Sequence, residues 1–391
     1  MPHAIFLCKL IKDQRLILMK HFALLTLLIS ISIATQAQAF PAVNWTYPLP
    51  APAFGSAASA DVDEDGFLEL IFTTYMADGK AHCINANDGS VLWTYNIGGC
   101  GDVAPLIYDF DGDDTLDVFI NGSCNPTAFC INARTGILKW SVPSGGGDSP
   151  PTVGDIDGDG KPEILFGNFS GEVRILNGED GSLNRNIVLA PGIGPIQTEP
   201  TLGNLDGDPE PEFIVCNHFN NSGFYTFAYD YATDDTLWMN YKSDTGATYY
   251  AYHGGVMADV DADGMLEYVI GDNAGAIRAL NGEDGSLLWE VTGRTNVISA
   301  LSCANFDADP ALEIVYVNND YLTFNDHIGV LDGATGNLDW SYAITFSAFR
   351  GVSISDINGN GKLDCVSGHF MGEVIAVEPF TAVSYTHLTL P

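Results

Sequence analysis

Asp259-Val260-Asp261-Ala262-Asp263-Gly264-Met265-Leu266-Glu267 decides how this chain folds. Three carboxylates on alternate residues can be aimed at one point by a tight turn, and Gly264 permits the positive φ that closes it. The carbonyl of Met265 and the acid of Glu267 would complete an oxygen cage suited to a hard cation such as Ca²⁺. An EF-hand places its closing Glu at position 12, whereas here the acid stands at position 9 and leads into Leu-Glu-Tyr-Val-Ile, a strand-like run.

The same pattern occurs seven times, starting at Asp61, Asp109, Asp155, Asn204, Asp259, Asn305 and Asp356, at intervals of 46 to 55 residues. A period near fifty with several strands per unit indicates a propeller. Loops one, three and five carry complete ligand sets: Asp61, Asp63, Asp65, Phe67 (by its carbonyl) and Glu69; Asp155, Asp157, Asp159, Lys161 (carbonyl) and Glu163; Asp259, Asp261, Asp263, Met265 (carbonyl) and Glu267. Loop two has Asp109, Asp111, Asp113, Thr115 (carbonyl) and Asp117, with Asp114 in place of Gly, a residue that tolerates the left-handed region. Loop four (Asn204, Asp206, Asp208, Glu212) and loop six (Asn305, Asp307, Asp309, Glu313) carry Pro209 and Pro310 at that position, so their path must differ. Loop seven (Asp356, Asn358, Asn360, Lys362 by its carbonyl, Asp364) has only two charged ligands. Occupancy by Ca²⁺ is therefore expected to be graded around the ring, with a structural role in bracing the turns.

Within one repeat, Gly254–Ala258 reads as a short first strand, the acidic loop as the turn, and Tyr268–Ile270 as the second strand. Ala276–Leu280 reads as the third and Ser286–Val291 as the fourth. Trp93, Trp140, Trp289 and Trp340 each follow a Gly by four residues; Trp238 follows Asp234 by the same step, and Arg185 takes the place in the third repeat. These side chains are expected to pack between blades. Trp45 reads as a fourth strand without a blade, so it is expected to complete blade seven and close the ring, leaving no exposed edge. The expected fold is all-β: a seven-bladed β-propeller of four-stranded antiparallel blades.

The D-x-D-x-D-G-x-x-E loop between first and second strands resembles the FG-GAP or VCBS-type calcium repeat of integrin α-subunit propellers and many exported bacterial proteins. The resemblance covers residues 45 to 377 and implies the propeller fold more firmly than any function. The FG and GAP elements themselves are mostly absent, Phe54-Gly55 preceding Ser56-Ala57 being the nearest. The Asp-Gly-Ser-Leu-Leu-Trp ending is similar to the tryptophan-docking repeat of quinoprotein propellers, although no adjacent cysteine pair is present.

Residues 19–39 read as a signal peptide: Met19-Lys20-His21, an apolar run from Phe22 to Ala34, and Ala37-Gln38-Ala39 as a cleavage site. Residues 1–18 fit no part of such a signal, and the propeller is assigned to 40–382. Residues 383–391 break the pattern and match, in one frame, the translation of a transposon end used in sequencing libraries, so the natural C-terminus is expected to lie beyond this sequence. The chain carries 15 basic and 50 acidic residues, a net charge of −35, and more than half of the carboxylates lie inside the seven loops. Such a surface repels nucleic acid and anionic membranes. Of eight cysteines, Cys8 lies in the leader and the remaining seven are an odd number, which excludes a complete disulfide framework; Cys83, Cys130, Cys216, Cys303 and Cys365 read as buried thiols, while Cys100 and Cys124 lie in loops on one face, where an exported protein could pair them or leave them free.

The face opposite the acidic loops is aromatic. His218-Phe219 and His369-Phe370 recur after second strands, as does Asn168-Phe169; Tyr249, Tyr250, Tyr252 and His253 fill one connection, and Tyr321, Phe324, His327, Phe349 and Arg350 lie in others. Phe169, Phe219 and Phe370 can alternatively plug the central channel. The expected function is an exported, non-catalytic, monomeric propeller that binds a protein or polysaccharide on this face, without membrane insertion after signal cleavage. A polysaccharide-degrading, lyase-like enzyme and a scaffold for a missing C-terminal region are the alternatives.

Overall fold

The computed structural model describes residues 45–385 except 191, 219–222, 243–248, 321–325, 346, 370–373 and 381–383. The leader and signal segment, and the candidate partner residues Phe219, Tyr321, Phe324 and Phe370, lie outside the described residues. All described residues belong to one unit, Asn44–Pro391. They form seven four-stranded sheets, each in simple sequence order, with every pairing antiparallel. No helix among them is long and apolar enough to cross a membrane.

The first strands are three residues long, as in Val256–Ala258, and each of the seven abuts the first strand of a neighbouring blade. The second strands are the most buried. Glu163–Gly167, Glu212–Cys216 and Glu267–Gly271 are buried at every residue, because adjacent blades cover both faces of each sheet. The fourth strands alternate, with one side toward solvent, as in Leu338–Ala343. Six hydrophobic clusters fill the space between blades, and five of them join one blade to the next through a docking side chain or its neighbours.

Docking follows one rule. The indole N–H of Trp93 donates to the Ala133 carbonyl of the next blade (2.7 Å), Trp140 to Gly178 (3.1 Å), Trp238 to Gly282 (2.6 Å) and Trp289 to Gly333 (2.6 Å). Each ring also fills the space over a left-handed Gly of that blade, where a Cβ would collide with it: Gly136 under Trp93, Gly181 under Trp140, Gly285 under Trp238 and Gly336 under Trp289. Arg185 reproduces the contact without a ring. Its guanidinium donates to the Tyr231 carbonyl (2.8 Å) and to Asp234 (3.0 Å) and lies 3.6 Å above the Tyr231 ring.

Ring closure differs from the expectation. Blade seven takes its fourth strand from Ser384–Tyr385, in the terminal segment assigned above to lie outside the propeller, and pairs it over two residues with Ala376–Val377. Trp45 forms no strand. Its indole nevertheless donates to the Ala86 carbonyl of blade one (2.9 Å) and covers Gly89, the geometry of Trp93, Trp140, Trp238 and Trp289. Tyr47 follows it onto blade one, its hydroxyl 3.1 Å from His82 Nδ1. The N-terminal segment thus supplies the docking side chain that a blade preceding blade one would supply, while the strand itself comes from elsewhere.

Candidate functional site: acidic loops and an axial pocket

Each acidic loop joins a first to a second strand. In loops one, two, three, five and seven the first Asp accepts the backbone N–H at position 6: Gly66 to Asp61 (3.0 Å), Asp114 to Asp109 (3.0 Å), Gly160 to Asp155 (2.9 Å), Gly264 to Asp259 (3.1 Å) and Gly361 to Asp356 (2.7 Å). Position 6 is left-handed in all five, Asp114 included at φ 64°. The N–H at position 7 donates to the side chain at position 5, as from Met265 to Asp263 (2.9 Å). Loops four and six keep this second bond, from Glu210 to Asp208 (3.1 Å) and Ala311 to Asp309 (3.0 Å), but replace the first. Proline at position 6 has no N–H to offer, and the Asn at position 1 turns its amide around: Asn204 donates to the Asp208 carbonyl and Asn305 to the Asp309 carbonyl. Asp goes with an N–H, Asn with proline.

In six loops the closing acid is fixed by the N–H at position 2, at 2.5 to 3.1 Å, from Val62 to Glu69 through Ile357 to Asp364. Its other oxygen points into the loop. Glu69 Oε1, Asp117 Oδ1 and Glu212 Oε1 are buried without a hydrogen-bond partner, as is Asp155 Oδ1. Side-chain oxygens of Asp61, Asp63 and Glu69 lie within 4.8 Å of one another, and so do those of Asp109, Asp111 and Asp117, of Asp155, Asp157 and Glu163, of Asp206, Asp208 and Glu212, and of Asp259, Asp261 and Asp263. Burial, reinforced by the neighbouring aspartates, pushes Glu163 and Glu267 up to about 7. Converging, partly desolvated oxygens with orphaned lone pairs suit a hard divalent cation.

The second feature lies at the other ends of the first strands. Phe54, Tyr75, Asp102, Asp148, Tyr252, Phe349 and Arg350 line a cavity of about 480 Å³. A smaller one of about 170 Å³ shares Arg350 and is lined further by His253, Glu199 and residues at the starts of several first strands. Phe54 meets Tyr75 edge-on at 5.1 Å, and Tyr252 meets Phe349 at 5.1 Å. Asp148 is held by Gln197 Nε2 (3.0 Å) and the Ser123 hydroxyl. Asp102 keeps Oδ1 buried without a partner, and burial, with the charge of Asp148, pushes its carboxyl up to about 6. The Cys100–Cys124 disulfide (Cα–Cα 5.1 Å) flanks this acid pair, two residues before Asp102 and next to Ser123.

Of the residues expected on this face, Tyr252, Phe349 and Arg350 line the cavity, and His253 lines the smaller one, half-buried and brought down to about 4 first by desolvation and then by Arg350. Tyr250 and His218 lie beside it, His218 meeting Tyr250 at 4.7 Å and Tyr252 at 5.4 Å. Tyr249 lies under the Lys242 ammonium at 4.7 Å. His327 does not sit in a loop: it is the first residue of strand His327–Asp332, with a ring nitrogen 3.1 Å from the Tyr316 hydroxyl. His369 is buried, and Phe169 is 42% exposed and does not plug a channel.

Phe54, Asp102 and Asp148 were missed, and a signal for them exists. Phe54, Asp102, Asp148, Gln197, Tyr252, Ile298 and Phe349 each stand seven residues before the start of an acidic loop, one per repeat. Five of the seven line the cavity, and Gln197 holds Asp148. One register position repeated around the axis therefore makes a collar. The aromatic residues hid it, because clusters rather than equivalent positions drew attention.

A family model described as FG-GAP-like repeat matches residues 109–166, and one described as Outer membrane protein assembly factor BamB matches residues 225–379. No curated protein matches the chain. Among solved structures, BamB from Moraxella catarrhalis is 17% identical over 88% of each chain, with a TM-score of 0.60. The quinohemoprotein alcohol dehydrogenase ADHIIG from Pseudomonas putida HK5 is 11% identical over 77% of this chain and 61% of that one, with a TM-score of 0.52. At these identities the likeness is one of fold. The chain is a seven-bladed β-propeller whose repeats match an FG-GAP-like model in one part and a BamB model in another.

Proposed function

We propose that this chain is an exported binding module, a calcium-stabilised propeller that receives a projecting group of a protein partner in its axial pocket. The collar carries the reading: one position per repeat, occupied by different side chains, builds a cavity of about 480 Å³ walled by aromatic rings and floored by Asp102 and Asp148. Rigid strands position a pocket that loops decorate, the usual arrangement for recognition. The carboxylate pair favours a basic or hydrogen-bond-donating group. A polysaccharide end is the second reading, supported by the Tyr252 and Phe349 rings that flank the opening. A lyase acting on uronates finds little support, since two carboxylates accompany Arg350, the one cation among the described lining residues. Export is supported by the signal-like segment and by the Cys100–Cys124 disulfide, which needs an oxidising compartment. Calcium in the acidic loops is supported by their orphaned, converging oxygens.

The test is a thermal melt with excess Ca²⁺ and with chelator, followed by partner capture from an envelope extract with wild type and the Tyr252→Ala/Phe349→Ala double variant. A Tm that rises with Ca²⁺ and a partner lost in the double variant support the reading. Equal melting with and without Ca²⁺ removes the calcium claim. Capture of the same protein by both forms removes the pocket.

A further inference from the structure

Loop two departs from the others in how its closing acid is held. Asp117 is bound by the Lys139 ammonium, 2.8 Å from Asp117 Oδ2, 2.6 Å from Asp111 and 3.4 Å from Asp113. The cation reaches three of the loop's five aspartates, and the Asp117 side chain is nearly fully buried.

The backbone explains why Lys139 arrives there. Third and fourth strands pair with a bulge in six blades; in blade two Cys130 pairs with Trp140 and Ile131 with Leu138, so Lys139 is the unpaired extra residue. The same register shift leaves Leu92, Asn184, Leu237, Leu288 and Asp339 as the bulge residues of blades one, three, four, five and six, each one place before the docking side chain. A bulge re-aims a side chain, and here it faces the acidic loop. Asn184 donates to Asp157 of loop three at 3.0 Å, and the Asp339 carboxyl feels the charges of Asp307 and Asp309 of loop six. Leu92, Leu237 and Leu288 pack against the core and leave their loops' carboxylates alone.

We propose that blade two carries its own cation: the Lys139 ammonium takes the place that a divalent ion takes in the other loops, and the bulge position sets cation demand blade by blade. A tethered ammonium is present whatever the metal concentration, and a Ca²⁺ ion must displace it and leave it without three carboxylate partners. Loop two is thereby stable without metal.

This rests on the calcium reading of the other loops, and the experiment separates the two. Bound Tb³⁺ and Ca²⁺ equivalents are counted by titration calorimetry and luminescence for wild type, Lys139→Leu (the residue of blades one, four and five), Lys139→Asn (after Asn184), and Lys80→Met. Lys80 pairs with Asp78 at 3.3 Å outside the acidic loops, so its removal controls for surface charge. The expected result is one additional equivalent, or at least a tenfold tighter site, in Lys139→Leu, with Lys80→Met unchanged. If Lys139→Leu fails to fold, Lys139→Asn is read the same way. Several equivalents in wild type and the same number and affinity in the Lys139 variants overturn the proposal. No equivalents in wild type overturn the calcium reading, and the Lys139 proposal with it.

Discussion

At the scale of single residues, paired choices explain most of the local geometry. Asp at loop position 1 requires an N–H at position 6; where proline removes it, Asn supplies a donor in the opposite direction, as Asn204 and Asn305 do. Asp102 shows the cost of a carboxylate at the collar. Its carboxyl is raised to about 6, first by burial and then by Asp148, with the Ser123 hydroxyl and Arg350 pulling it down. A folded-state pKa above the unfolded value means the protonated form favours folding: stability is fully present below the unfolded pKa, near 3.8, and is lost as pH rises through about 6. Asp102→Asn removes that penalty. Its unfolding free energy should match wild type near pH 4 and exceed it above pH 6 by about 1–2 kcal/mol once the partial exposure is discounted, read as a higher Tm there. The same Tm difference between the two proteins at pH 4 and pH 7.5 would show that the Asp102 carboxyl is not raised by the fold.

At the scale of elements, the connections of blades one and two are braced by covalent chemistry. Cys100 lies between blades one and two and Cys124 between the second and third strands of blade two. The bridge spans 24 residues and should contribute about 3 kcal/mol by restricting the unfolded chain. The Cys100→Ser/Cys124→Ser double variant should therefore melt lower than wild type under oxidising conditions, and a reductant should bring wild type down to it. The other thiols are poor candidates for exchange: Cys83 and Cys365 are buried, which pushes each up to about 12.

At the scale of the molecule, closure depends on both ends. Trp45 docks on blade one as Trp289 docks on blade six, whereas the fourth strand of blade seven has only two paired residues. Trp45→Ala and Trp289→Ala should each cost about 3 kcal/mol or more in a denaturant titration. A Trp45→Ala variant as stable as wild type would mean that the ring is held without its N-terminal segment.

The sequence by itself determined the repeat, the blade number and the strand order, because a nine-residue loop of alternating acids dictates a local turn wherever it occurs, and the Gly-to-Trp step repeats with it. It also carried the difference between Gly and Pro loops, since both arise within nine residues. What joins distant segments was decided only by tertiary structure. Lys139 reads as an ordinary exposed strand residue until the bulge turns it into loop two. Asp102 and Asp148 are 46 residues apart and become neighbours only when the blades close around an axis. The fourth strand of blade seven went to Ser384–Tyr385 rather than to Trp45, because an edge accepts any extended segment that reaches it, while an indole needs a carbonyl and a glycine at fixed places. Local rules act over a turn; a collar, a tethered cation and a closed ring need the whole chain.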